Sequence, residues 1–156
     1  MRDIKQLALI GMLSILIAAC GSTGEKKVDF TYLISAADNI NPDITGRATS
    51  VVVRVYQLSN KINFENASYQ DLFLESGNSL GTEFIAVNEY LVDPGTSKEL
   101  DVEISENTTY IGVVVGYRSV DMVTWRTIKA APEQSWFSSA GFEVVIEKLS
   151  VRVVEI

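Results

Sequence analysis

The sequence predicts an all-β domain, a sandwich or barrel of short strands interrupted by one short helix. Apolar residues alternate with polar ones at period two through Val28, Phe30, Tyr32 and Ile34, and again through Leu100, Val102 and Ile104. That is the pattern of half-buried antiparallel strands. Two runs, "SVVVRVYQL" at 50–58 and "TYIGVVVGY" at 109–117, are β-branched and almost continuously apolar, which suits central strands. Turn signals at Asn41-Pro42-Asp43, Asp93-Pro94-Gly95 and Glu106-Asn107 separate the runs, and many short strands so punctuated make a sandwich or a barrel.

The elements follow in chain order. Met1 to Gln6 carries Arg2 and Lys5, and Leu7 to Ala19 is almost entirely apolar. Thirteen helical residues rise only about 20 Å, short of the roughly 30 Å hydrocarbon core. Residues 1–19 therefore read as a cleaved export signal rather than a membrane span. The run ends in Ile17-Ala18-Ala19-Cys20 and continues Gly21-Ser22, which resembles the lipobox of bacterial lipoproteins, with isoleucine where leucine is commonest. In that motif the cysteine thiol takes a diacylglyceryl group, small side chains fit the cleavage site, and the freed amine is acylated, palmitate being a typical chain. Cys20 is the lipidation candidate. It is also the only cysteine, so no intrachain disulfide framework exists. Each buried CH₂ contributes about 0.8 kcal/mol, and two or more chains make a stable anchor. Aspartate directly after the lipidated cysteine is the usual inner-membrane retention signal in enteric bacteria. Gly21 stands there instead, so the expected destination is the periplasmic face of the outer membrane. The polar stretch "GSTGEKK" completes a lipidated tether over 20–27, reaching at most about 25 Å.

Cleavage before Cys20 leaves 137 residues, enough for one domain, here 28–156. They hold 11 basic and 19 acidic side chains, a net charge of −8. That sign argues against nucleic acid and against electrostatic binding to acidic lipid. Membrane attachment must then come from the acyl chains.

Further strands are expected at 83–92, 123–130, 142–147 and 149–155. The apolar phase flips between Ile146 and Leu149, which requires a bulge or a tight turn at Glu147-Lys148. The helix is expected at about 67–76, where Ser68 can cap an N-terminus with Asp71 three residues on and Tyr69, Leu72 and Phe73 share one face. Gly112 and Gly116 lie opposite Ile111, Val113 and Val115, where missing side chains mark either a bulge or the close approach of another layer.

Catalytic chemistry finds few reagents. The chain has no histidine and its one cysteine is committed to the lipobox, so His-based acid–base pairs, Cys–His nucleophiles and most zinc sites are excluded. The carboxylate pairs Asp101/Glu103 and Glu143/Glu147 fall on solvated strand faces, and no phosphate-binding glycine loop occurs. No enzyme activity and no cofactor beyond the covalent lipid is expected. Asn66-Ala67-Ser68 and Asn107-Thr108-Thr109 match a glycosylation pattern, which a bacterial lipobox makes incidental. What remains is a binding surface. The connection "SAADNINPDITGRAT" at 35–49 is far longer than the two to five residues of common hairpin loops. It carries Ile40 and Ile44 amid polar neighbours. Spacing alone leaves two readings open: a recognition loop, or an Ω-like loop that packs Ile40 or Ile44 on its own domain. A generic lipoprotein domain that binds a small ligand or glycan is the alternative function, with Trp136 and Phe137 in "EQSWFSSAG" as its aromatic platform.

Several segments in order resemble one family. Asn41-Pro42-Asp43, Gly46-Arg47 and the run Val51 to Leu58 are similar to the opening signature of the type VI secretion lipoproteins, the TssJ (VasD/SciN) family. "SYQDLFLE", "YLVDPGTSKEL" and "YIGVVVGYRSVDMVTWRTI" agree with its later elements, while Ser50 stands where many members have proline. The resemblance implies a two-sheet transthyretin-like β-sandwich with one short inserted helix. It also implies an outer-membrane lipoprotein of the secretion membrane complex that binds the periplasmic C-terminal region of the inner-membrane protein TssM through the loop between the first two strands. The residues it assigns to that partner are Asn39, Ile40, Asn41, Pro42, Asp43 and Ile44, and it assigns structural packing and cation–π roles to Arg54, Tyr117, Arg118, Trp125 and Arg126.

Overall fold

A computed structural model of the chain describes residues 27–74, 78–131 and 141–156. The order is β1 (Lys27–Ala36), β2 (Val51–Leu58), α1 (Ile62–Asn66), α2 (Tyr69–Leu74), a 3-10 turn (Gly81–Glu83), β3 (Phe84–Val92), β4 (Ser97–Ser105), β5 (Tyr110–Val115), β6 (Arg126–Ala130), β7 (Gly141–Ile146) and β8 (Val151–Glu155). Two four-stranded sheets form, ordered β4-β1-β7-β8 and β3-β2-β5-β6. All pairings are antiparallel except β1 with β7. Of the sandwich or barrel that period-two patterning left open, the structure is the two-sheet sandwich that the family resemblance implies.

Alternation sets which side of each strand is covered. Phe30, Tyr32 and Ile34 of β1 face Val53, Val55, Ile111 and Val113 across the sheets, and with Phe142, Val144 and Ile146 they belong to one buried cluster. Phe142 stacks on Tyr32 at 5.1 Å between ring centroids and tilts against Phe30 at 5.3 Å. Such ring pairs add about 0.5–1.5 kcal/mol beyond their buried area. A smaller cluster lies on the other face of the second sheet, where Tyr56, Leu58 and Val114 pack under Phe64 and Leu72 of the helices. β2 and β5 are apolar in both phases because each is central in its sheet and covered on both faces.

The helix at 69–74 begins as the sequence implies. Asp71 N–H donates to Ser68 Oγ at 3.1 Å, and Ser68 N–H donates back to the Asp71 carboxylate at 3.0 Å. A second helix, α1, has no signal in the sequence, since five residues are too few to display a 3.6-residue period. Its first turn is stabilised from elsewhere in the chain: Asn63 N–H donates to the Glu83 carboxylate at 2.8 Å. The two helices are clamped by arginines from the sheet. Arg126 donates to the carbonyls of Phe64 and Ala67 at 2.9 and 2.7 Å, and Arg54 to that of Leu72 at 3.2 Å, each at a helix C-terminus where positive charge is favourable. Their guanidinium carbons lie 4.8 Å from the Trp125 ring centroid and 4.6 Å from that of Phe73. At Gly112 an added Cβ would sit 2.7 Å from the Phe64 ring. Of the two readings of that glycine, close approach of another layer is the one realised.

At 147–150 the phase flip is a turn, not a bulge: Ile146 pairs with Val151, and Glu147 N–H donates to the Ser150 carbonyl at 2.8 Å. Among the described residues no helix is long and apolar enough to cross a membrane.

Candidate partner-binding site

Strand direction sorts the connections between two ends of the sandwich. β1 enters at Lys27 and leaves at Ala36, and Ser35 pairs with Ser97, Ala36 with Ile146, and Val51 with Val92. The β1–β2, β3–β4, β5–β6 and β7–β8 connections therefore all emerge at the end where β1 leaves. Ten residues of β1 at about 3.3 Å each separate that end from the N-terminal one by roughly 30 Å. We call it the distal end. It carries four of the seven exposed large apolar side chains among the described residues: Ile44, Leu91, Met122 and Leu149.

The β1–β2 loop is fixed at its base and raised at its tip. Ile40 is 0 % exposed and belongs to the inter-sheet core. Asn41 is buried beside it with a φ of +45°, a left-handed conformation that asparagine tolerates better than most residues. Its side-chain amide donates to Thr49 Oγ1 at 2.9 Å and to the Ser50 carbonyl at 3.1 Å, and its side-chain oxygen accepts from Arg118 N–H at 2.8 Å. One residue thereby ties the β1–β2 loop to the β5–β6 loop. Pro42 is half-buried and Asn39 exposed.

Beyond Pro42 the chain makes a tight turn around Asp43. One oxygen of its carboxylate accepts from Thr45 N–H at 2.8 Å, Thr45 Oγ1 at 2.7 Å and Arg47 N–H at 3.0 Å. The other takes two bonds from the Arg47 guanidinium at 3.1 and 3.0 Å. Hydrogen bonds from Thr45 and Arg47 hold the carboxyl down at about 2. Ile44 stands on the outside of this turn, fully exposed.

These placements correct part of the sequence reading. Ile40, which the resemblance assigns to the partner, is not offered to one, because its side chain is spent on the core, as the Ω-loop alternative had it. Of the two isoleucines only Ile44 presents apolar surface. Asn41 is a structural tie. Arg118 also departs from its expected packing role: its backbone anchors Asn41, but the side chain is exposed and makes no ion pair among the described residues. Arg54, Trp125 and Arg126 do pack and make cation–π contacts. The Tyr117 hydroxyl shares its one hydrogen between the Glu147 and Ser150 carbonyls, at 2.9 and 2.7 Å, and burial pushes its pKa up. It fastens the β7–β8 turn beneath the β5–β6 loop. Between these loops lies a notch of about 130 Å³, bordered by Asn41, Pro42, Tyr117, Arg118, Ser119, Val123, Lys148 and Leu149. Lys27, the last residue of the expected tether, is the first of β1, while Cys20, the rest of the tether and the Trp136–Phe137 platform lie outside the described residues.

Residues 28–153 match the family model described as type VI secretion lipoprotein, VasD, EvfM, TssJ, VC_A0113. The chain belongs to the type VI secretion lipoprotein family. Solved structures of similar fold include the type VI lipoprotein TssJ1 of Pseudomonas aeruginosa, at 25 % identity and a TM-score of 0.76, covering 84 % of this chain and 98 % of that one. A chain of a type VI membrane complex superposes at 26 % identity and a TM-score of 0.71, covering 81 % and 97 %. A chain in a structure named for the TssM C-terminal domain from EAEC superposes at 24 % identity and 0.66, covering 82 % and 98 %. No curated protein matches. The type VI secretion lipoproteins thus share with this chain the two-sheet sandwich.

Proposed function

We propose that this lipoprotein is anchored to the periplasmic face of the outer membrane through a diacylglyceryl and N-acyl lipid on Cys20, and that it binds the periplasmic C-terminal domain of TssM through its β1–β2 loop. It acts as a binding component of the secretion membrane complex and not as an enzyme. The observation that carries the reading is Ile44, fully exposed on a turn that Asp43 and Arg47 hold rigid. A preorganised apolar anchor in a polar rim gives more affinity than a mobile one. Its location supports the same partner geometry. The tether enters at the opposite end of β1, so a lipid on Cys20 would direct the distal end away from its own membrane and toward a protein rooted in the other one. The naming of TssM with one chain of similar fold supports the choice of partner.

Ile44→Asp in the full-length lipoprotein tests the site. Titration against the TssM C-terminal domain should give about tenfold weaker binding, roughly 1.4 kcal/mol, with an unchanged melting temperature. Equal affinity overturns the assignment. Cys20→Ser should abolish incorporation of radiolabelled palmitate and release the protein from outer-membrane fractions. Label in the variant, or none in the wild type, overturns the anchor.

A further inference from the structure

Two cations at the distal end have no counterion among the described residues. Arg118 and Lys148 are exposed, border the same notch, and form no ion pair among the described residues. The remaining charges at this end are engaged or stand outside the notch. Arg47 is taken by Asp43 at 3.0 Å, Glu147 points to Arg152 at 3.6 Å and accepts from Ser150 Oγ at 2.8 Å, and Asp121 is exposed on the β5–β6 loop but does not line the notch. Arg118 and Lys148 thus set two cations beside one apolar hollow, in a chain of net charge −7.

The hollow itself is apolar on its floor and lip, with Pro42, Tyr117, Val123 and Leu149 around it. Leu149 is 49 % exposed. Cavities of about 150 Å³ hold benzene, so a notch of about 130 Å³ takes one aliphatic or phenyl-sized side chain. It is continuous with the β1–β2 loop, because Pro42 lines it and Asn41 joins its two walls through Arg118 N–H.

We infer that the notch is the second half of the partner-binding surface and receives an apolar side chain flanked by carboxylates from a segment of the TssM periplasmic domain, with Arg118 and Lys148 pairing the carboxylates. This rests on the assignment of the β1–β2 loop to TssM and extends it to the β5–β6 and β7–β8 loops. Ile44 projects an apolar group toward the partner while the notch accepts one from it. Charges at the rim of an interface act chiefly on association rate and salt dependence, which gives the surface a signature that Ile44 lacks.

The test uses the full-length lipoprotein and the TssM C-terminal domain, with three variants: Arg118→Glu/Lys148→Glu, Leu149→Asp and Ile44→Asp. All four side chains are exposed, so melting should not move. Charge reversal should weaken binding about tenfold, mainly through slower association, and the deficit should shrink as salt is raised. Leu149→Asp should weaken it comparably through faster dissociation. If Ile44→Asp weakens binding while the other two variants match the wild type at low salt, the notch is overturned and the loop assignment stands. If the notch variants weaken binding and Ile44→Asp does not, the inference holds and the tip of the loop is released from its role. Wild-type affinity in all three overturns both. Loss of binding to phosphatidylglycerol vesicles on charge reversal, with TssM affinity unchanged, would assign the cations to lipid and overturn the inference.

Discussion

Ile40 and Ile44 are the same residue type in the same loop, four positions apart, and Ile→Ala at each should have opposite consequences. Ile40 is 0 % exposed and packed in the inter-sheet cluster, whereas Ile44 is 104 % exposed. Truncating a buried isoleucine removes the transfer free energy of the lost methyl and methylene groups and leaves a cavity that the neighbours only partly fill, about 2–5 kcal/mol in all. The upper part of that range is expected here. Asn41, next in the chain, is pinned by three side-chain hydrogen bonds that resist collapse of the loop into the space. Removing the same atoms from Ile44 takes nothing out of contact, so the change should stay within about 0.5 kcal/mol. For a domain of this size 1 kcal/mol moves the melting temperature by about 2–8 °C. Ile40→Ala should therefore melt at least about 7 °C lower, and Ile44→Ala within about 4 °C of wild type. Urea denaturation at one pH, with near-constant m-values, gives the same comparison in free energy. Equal costs for the two variants would refute the placement of Ile40 in the core, as would a loss below about 1 kcal/mol at that position. A practical consequence follows for loop exchange. Replacing 39–44 by glycine and serine would mix a folding defect with a binding defect, and only substitutions at Ile44 or beyond separate them.

Gly112→Val should be severely destabilising, by about 3 kcal/mol or more, because even a Cβ would lie 2.7 Å from two atoms of the Phe64 ring and the helix layer would have to lift. Combining it with Phe64→Ala should restore part of the loss in a double-mutant cycle, and additivity would contradict the contact. Asp43 gives a pH signature. Its folded pKa is depressed to about 2 by hydrogen bonds from Thr45 and Arg47, so its contribution to loop order is complete above its ordinary value of 3.8 and is lost as pH falls through about 2. Carboxyl titration by NMR should place its midpoint well below those of free aspartates. An ordinary midpoint would show the turn to be unformed in solution.

The sequence by itself determined the class of fold and most of its strands. Period two records that one face of a strand is buried, and Phe30, Tyr32 and Ile34 display it because β1 has solvent on its other side. The continuous apolar runs of β2 and β5 announced strands covered on both faces, though not by what. The Ser68–Asp71 capping box located α2 because that hydrogen bonding is local. α1 left no such trace, since its start depends on Glu83, twenty residues on in the chain. The loop between β1 and β2 was legible as too long for a simple connection. Which isoleucine it spends on the core was not, because Ile40 and Ile44 have the same polar surroundings in sequence. Only the tertiary structure decides between them: the left-handed Asn41, held from Thr49, Ser50 and Arg118, turns the chain so that Ile40 points between the sheets and Ile44 away from them. The pairing of Arg118 with Lys148 across a notch was equally out of reach. Thirty residues separate them, and nothing local to either records that two connections leave the sandwich at the same end.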